Sequence, residues 1–336
     1  MNTTVKNTAL ESRLFSAGEA GFTALAVDVF LFQYHSNPVY RQYCELLHTD
    51  IDKIDTIEKI PFLPISFFKT HAVTTTDFEP EAIFESSGTT QTINSKHLVR
   101  DVSLYEKSFT KAFDIFYDNA SDWCILALLP SYLERKNSSL VMMADRLIKQ
   151  SGHPQGGFYL DGFDKLKTTL QQLEQQQQKT LLIGVTFALL DFSEQCPMPL
   201  KHTTIMETGG MKGRRKEILR QEVHGILCNK FQLPTIHSEY GMTELLSQAY
   251  SKGNGIFNCP PWMRVLLREE DDPLSVRSSF KNKTISGAVN VIDLANLYSC
   301  SFIATDDAGK LYADGSFEIL GRLDNSDIRG CSLLTI

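Results

Sequence analysis

Apolar side chains recur at helical spacing over residues 16–34, and Pro38 breaks the pattern before it resumes at 39–47. The segment Ile60-Pro61-Phe62-Leu63-Pro64-Ile65-Ser66-Phe67-Phe68-Lys69 sets two prolines among bulky apolar residues, which predicts extended chain packed on a core. A short strand is expected at 82–85, running into a polar loop at 86–94. Beyond it helices are predicted at 104–119, 138–151 and 163–177, with strands at 124–129 and 180–184. A short helix after Thr186, a strand at 202–207, a basic helix at 214–231 and a strand at 234–238 continue the series. Such alternation predicts an α/β fold, a mostly parallel sheet flanked by helices. From about Val265 the pattern shifts to short strands and turns, with Asp314-Gly315 and Gly321-Arg322 near the end, as in a smaller β-rich lobe. The expected division is therefore 1–264, an α/β core with its N-terminal helical segment, and 265–336, the β-rich lobe and tail. The glutamine-rich run at 171–178 reads as a solvated helix face.

Composition narrows the function classes. A chain of 336 residues can bury a substantial core. Its formal net charge of −7 argues against a nucleic-acid binder, which would show a basic face. Seven scattered cysteines without a Cys-x-x-Cys pair suggest neither a zinc site nor a disulfide framework, and point to reduced thiols. The N-terminus lacks a basic segment followed by an apolar core, and the apolar stretches are too short or too interrupted to span a bilayer. A soluble cytoplasmic protein, with no membrane insertion, is the expectation.

Three segments carry candidate chemistry. Glu85-Ser86-Ser87-Gly88-Thr89-Thr90, followed by Ser95-Lys96-His97, places small hydroxyl residues and a glycine after a strand, where N–H and O–H groups can converge on phosphate oxygens. The same residues would serve as a capping turn, and the segment is not a Walker A loop. In Ser238-Glu239-Tyr240-Gly241-Met242-Thr243-Glu244, an aromatic ring can stack on a purine, a threonine can bond phosphate and a carboxylate can ligate Mg²⁺. Near the end come Thr305-Asp306-Asp307 and Gly321-Arg322-Leu323-Asp324, an acid suited to ribose hydroxyls and an arginine suited to phosphate.

In this order and at these separations, the three segments resemble the core motifs of the adenylate-forming enzymes. Within that superfamily the chain is similar to the acyl-protein synthetases, the LuxE-like branch related to phenylacetate-CoA ligases. The closer likeness rests on 60–69, on Leu129-Pro130-Ser131-Tyr132-Leu133-Glu134-Arg135, on Glu207-Thr208-Gly209-Gly210-Met211-Lys212-Gly213 and on Asp327-Ile328-Arg329-Gly330-Cys331. The resemblance implies the fold of the large N-terminal domain of these enzymes. It also implies that Ser86, Ser87, Gly88, Thr89 and Thr90 embrace the ATP phosphates. Tyr240, with Gly241, would meet adenine, Thr243 the α-phosphate, and Glu244 the Mg²⁺. Asp307 would bind ribose with Arg322 nearby, while Gly209 and Gly210 would line the adenine side and Lys212 or Arg214 would supply positive charge. Two positions depart from the pattern: Gln91 stands where many relatives carry Gly, and Asp306 replaces the Gly of Thr-Gly-Asp, so that either aspartate is a candidate ribose ligand.

The chain ends shortly after Gly-Arg-x-Asp, without the C-terminal lysine-bearing lobe of typical members. The resemblance then implies that Cys331 accepts the acyl group as a thioester, a reaction well suited to a thiolate. His97, after the phosphate loop, and Arg135 are further candidates. The implied activity is ATP-dependent activation of a fatty acid or other carboxylic acid to acyl-AMP. Transfer to a protein cysteine follows, with an acyl reductase or carrier as the implied partner. The alternatives are a CoA ligase of the phenylacetate type and a non-catalytic acyl- or nucleotide-binding module.

Overall fold

The computed structural model describes residues 7–16, 18–86, 93–129, 137–159, 162–209, 218–269, 272–278 and 283–323. Its internal contacts divide the chain into two units. One comprises Met1–Ser108, Met242–Ser247 and Asn258–Ile336, the other Phe109–Gly241 and Gln248–Phe257. The residue 264/265 division falls inside a single strand, Met263–Arg268.

The second unit is built on a six-stranded sheet. Its order is Gly157–Phe158, Cys124–Leu128, Thr180–Val185, Thr203–Thr208, His237–Tyr240 and Ala249–Ser251, and all pairs are parallel except the last. Cys124–Leu128 and Thr180–Val185 are buried at every position, which is why they read as continuous apolar runs rather than alternating ones. Helices Ser139–Ser151, Phe163–Gln175, Thr186–Gln195 and Arg220–Phe231 lie between the parallel strands in sequence. The first starts where the Ser138 hydroxyl accepts from Val141 N–H and stops at Gly152, whose φ of 62° suits a residue without Cβ.

The first unit carries an antiparallel sheet, ordered Phe317–Arg322, Phe302–Leu311, Ile285–Asp293, Met263–Arg268 and Val276–Arg277, with Leu63–Pro64 parallel to Phe302–Leu311. Helices Phe22–Ser36 and Pro38–Leu46 are tied to it by polar anchors. Gln33 donates to the carbonyls of Asn296 and Leu297 and accepts from Ser301 N–H, and Asn37 caps the second helix while donating to Ser299 O. Tyr40, Phe62 and Phe30 gather around Phe302. A hairpin of Ala82–Glu85 and Lys96–Val99 completes the unit.

Three expectations need correction. Extended chain at 60–69 gives way to a helical turn at Phe67–Thr70, because no proline restrains the backbone after Pro64. The strand expected at 234–238 lies at His237–Tyr240. The C-terminal strands are not all short: Ile285–Asp293 has 9 residues and Phe302–Leu311 has 10, and the pairing register shifts once along each. The basic helix is described over Arg220–Phe231.

Candidate functional site

In the first unit the phosphate-loop segment leaves strand Ala82–Glu85 at Ser86. Ser86 N–H donates to Ser95 O at 3.1 Å, and Ser86 Oγ accepts from Ser95 N–H at 2.9 Å, so this hydroxyl closes the root of the loop. Ser87, Gly88, Thr89 and Thr90 lie outside the described residues, as does Gln91. Glu244 is buried, accepts from the Ser95 side chain, and lies in the field of Arg322 and Lys69. Burial raises the Glu244 carboxyl above its ordinary range, while Ser95 and the two cations oppose that rise. Such a carboxylate gains from a bound cation, and Mg²⁺ is usually held by one or two carboxylates together with substrate phosphates. Glu244 therefore fits the metal role implied for it. Among the described residues no group of three or more His, Cys, Asp or Glu could hold a metal by itself.

Asp307 stands opposite Arg322 in the sheet register, with 3.7 Å between Arg322 Nε and Asp307 Oδ1. Its own N–H donates to Thr305 Oγ1. Successive strand residues point to opposite faces, so Asp306 cannot share this position, and its carbonyl instead accepts from Leu323 N–H. Arg322 is largely exposed, which leaves its guanidinium in reach of solvent-borne groups. Thr243 offers its carbonyl to His97 Nδ1 at 2.8 Å, and His97 itself is 1 % exposed, without surface for direct contact with a substrate.

In the second unit the candidates gather at the carboxyl ends of parallel strands, where open α/β sheets bind ligands. Tyr240 ends strand His237–Tyr240, is 8 % exposed and meets Phe257 edge-on. Stacking on adenine would require the ring to uncover a face. Gly241 follows: a Cβ there would lie 2.4 Å from Glu239 Oε1. Gly209, after strand Thr203–Thr208, has φ 68° and offers its carbonyl to Thr186 Oγ1 at 2.8 Å. Gly210, Lys212 and Arg214 lie outside the described residues, and so do Arg135 and Cys331.

Two buried acids flank these glycines. Glu207 Oε1 receives Arg220 Nε at 3.1 Å with His224 Nε2 at 3.6 Å, and its Oε2 accepts from Thr186 Oγ1 at 3.0 Å. Burial opposes ionisation of Glu207, but His224, Arg220 and Ser238 outweigh it and hold the carboxyl below its ordinary range. Glu239 accepts from the Thr208 hydroxyl, yet burial and the charge of Glu207 push it up to about 7. The two strands thus hold one acid below its ordinary range and its neighbour above it.

The family model for "Acyl-protein synthetase, LuxE" matches residues 14–145. A long-chain-fatty-acid–luciferin-component ligase of Aliivibrio fischeri is 26 % identical over 338 residues, spanning 92 % of this chain and 86 % of that protein. The ligase of the same description from Vibrio harveyi is 24 % identical over 92 % of this chain and 85 % of its own length. The chain is thus similar to these ligases over most of its length and to the acyl-protein synthetase model over its first part. Among solved structures, ATP-bound MatB from Rhodopseudomonas palustris aligns with a TM-score of 0.53 at 18 % identity, over 74 % of this chain and 49 % of MatB. The chain thus spans about half of MatB's length. At that identity the likeness concerns the fold, and the fold is the one expected from the sequence, that of the large N-terminal domain of adenylate-forming enzymes.

Several residues that shape the candidate site are not evident from the sequence. Arg220 and His224 find Glu207 from a helix whose basic residues look like an ordinary solvated face. Asp293, which accepts from Leu246 N–H, and Asn296, which donates to the Glu244 carbonyl, hold the segment after Thr243 from about 50 positions away in sequence. A signal existed for them: Asn290 and Asp293 interrupt the apolar run 288–294, and polar groups in such runs are buried with partners. Among the described residues no helix is long and apolar enough to cross a membrane.

Proposed function

We propose that the chain is a ligase that activates a fatty acid with ATP and then passes the acyl group to Cys331. The observation that carries this reading is the arrangement of Glu244 and Asp307, acids 63 positions apart in sequence (307 − 244), about the single guanidinium of Arg322. Similarity to fatty-acid ligases over 92 % of the chain supports the choice of acid.

In the first step a carboxylate oxygen of the acid attacks the α-phosphorus of ATP, the bond to the β-phosphate breaks, and pyrophosphate leaves. Asp307 would bind the ribose hydroxyls, with Arg322 turned to the phosphates and Thr243 to the α-phosphate. Glu244, with Ser95 fixing its carboxylate, would hold Mg²⁺. When bound, Mg²⁺ supplies positive charge against the developing charge on the phosphate oxygens. In the second step the Cys331 thiolate attacks the acyl carbonyl, the mixed anhydride breaks, and AMP leaves. The six described cysteines are poor rivals for that role, since burial raises the pKa of each thiol. A carrier or acyl-reducing protein would take the acyl group onward.

The test is pyrophosphate release with ATP, Mg²⁺ and a panel of acids of increasing chain length, together with labelled acid and mass analysis of the protein. Expected results are acid-dependent release and label on the wild-type chain, with Cys331→Ser keeping release and losing label. Cys331→Ser that still makes acyl-CoA favours the CoA-ligase alternative, and nucleotide binding without release favours a binding module.

A further inference from the structure

The segment bearing Thr243 and Glu244 is gripped by side chains from elsewhere in its own unit. His97 Nδ1 meets the Thr243 carbonyl at 2.8 Å, and because a carbonyl only accepts, Nδ1 carries the proton. Asn296 Nδ2 donates to the Glu244 carbonyl at 2.6 Å. Asp293 then accepts from Leu246 N–H at 2.7 Å, Ser247 N–H at 2.9 Å and the Ser247 hydroxyl at 2.5 Å. The imidazole is wedged edge-on against Phe68 and Phe84, and burial lowers its pKa to about 4, so it is neutral at physiological pH. The Nε2 of His97 and the Oδ1 of Asn296 are buried without a hydrogen-bond partner in good geometry, and both residues line a cavity of about 10 Å³. That is room for about one water molecule, so the ring is exposed to no larger ligand.

These bonds have a geometric effect. The Thr243 carbonyl belongs to the peptide plane before Glu244, and the Glu244 carbonyl to the plane after it. Peptide units are rigid, so fixing both planes fixes φ and ψ of Glu244 and the direction of its Cα–Cβ bond. Ser95 then fixes the carboxylate at the other end. We infer that His97 and Asn296 are positioning residues for Glu244, an inference that rests on the metal role proposed above. They touch neither nucleotide nor metal and act through the backbone of residues 243 and 244.

The experiment compares His97→Asn, His97→Gln and His97→Leu in the full chain. An asparagine amide can sit where Nδ1 sits and donate to Thr243, whereas a glutamine amide reaches the place of Nε2. The readouts are the Mg²⁺ concentration for half-maximal acid-dependent pyrophosphate release, the maximal rate, and amide hydrogen exchange over residues 242–247. His97→Leu and His97→Gln should raise the Mg²⁺ requirement about 10-fold or more, by analogy with lost outer-shell partners of metal ligands. His97→Asn should return it to within a few fold, and KM for the acid should not move. Equal behaviour of the Asn and Gln variants, or wild-type Mg²⁺ dependence in a folded His97→Leu protein, overturns the inference. Should His97→Leu not fold, the Asn–Gln pair decides alone. Absence of acid-dependent release from the wild type defeats the parent reading instead. In that case faster exchange over 242–247 in His97→Gln than in His97→Asn still supports the backbone clamp, and equal exchange removes it.

Discussion

Both units bury carboxylates near strand ends, and they hold them by different means. In the parallel-sheet unit, Glu207 is kept ionised by Arg220 and His224 and raises the pKa of its neighbour Glu239. In the antiparallel-sheet unit, Asp293 is surrounded by N–H and O–H donors: Leu246, Ser247 twice, and Ala295. The first arrangement exchanges charge between side chains and responds to protons or to an arriving ligand. The second sets three backbone N–H groups and one hydroxyl against the burial that lifts the Asp293 carboxyl to about 6, and it ties down a loop. Side-chain ion pairs thus set the charge of the acids in the parallel-sheet unit, and backbone donors tie the acid of the antiparallel-sheet unit to a loop.

The largest expected effect tests the fixed mount. Asp293→Asn keeps the shape but turns an NH₂ group toward buried donors and orphans about two of them, costing about 2–5 kcal/mol in urea-induced unfolding. A loss below 1 kcal/mol would mean that the loop does not depend on this carboxylate. The next concerns the adjustable pair. Glu239 has a native pKa near 7 against an ordinary 4.5, so between these values the native state holds a proton that the unfolded chain has released. Stability should fall as pH rises across that window, by roughly 2–3 kcal/mol if the shift is fully expressed. Glu239→Gln, which mimics the neutral acid, should remove this contribution and leave that of Asp293, whose carboxyl burial lifts to about 6; unfolding midpoints at pH 5 and pH 8 for both proteins check it, and unchanged slopes would mean that Glu239 does not titrate in this window. The smallest effect is Gly241→Ala, whose Cβ would press on Glu239 Oε1. That oxygen ends a flexible side chain, but burial and the Thr208 bond leave it little room, so a loss of about 1–2 kcal/mol is expected from thermal unfolding.

The elements were legible in the sequence wherever local chemistry decides. The helix at Ser139–Ser151 has a serine cap and a terminal glycine, and the central parallel strands are unbroken apolar runs. The chemistry-bearing residues were legible as motifs because each lies within a short segment. What holds them was not. His97 and Thr243 are 146 positions apart, Asn296 and Glu244 are 52, and Ser247 and Asp293 are 46. No periodicity links such pairs, since they meet only after the sheet has formed. The strand at His237–Tyr240 was displaced from its expected place for a related reason: its boundary is set by pairing with Thr203–Thr208 rather than by Pro234.

The two hydrogen bonds between Ser86 and Ser95 have a further consequence for the hairpin they close. They tie the ends of strands Ala82–Glu85 and Lys96–Val99 together and extend the register of the pair by one step. The side chain of the same Ser95 reaches Glu244, so one residue both sets the register of the hairpin and steadies the buried carboxylate.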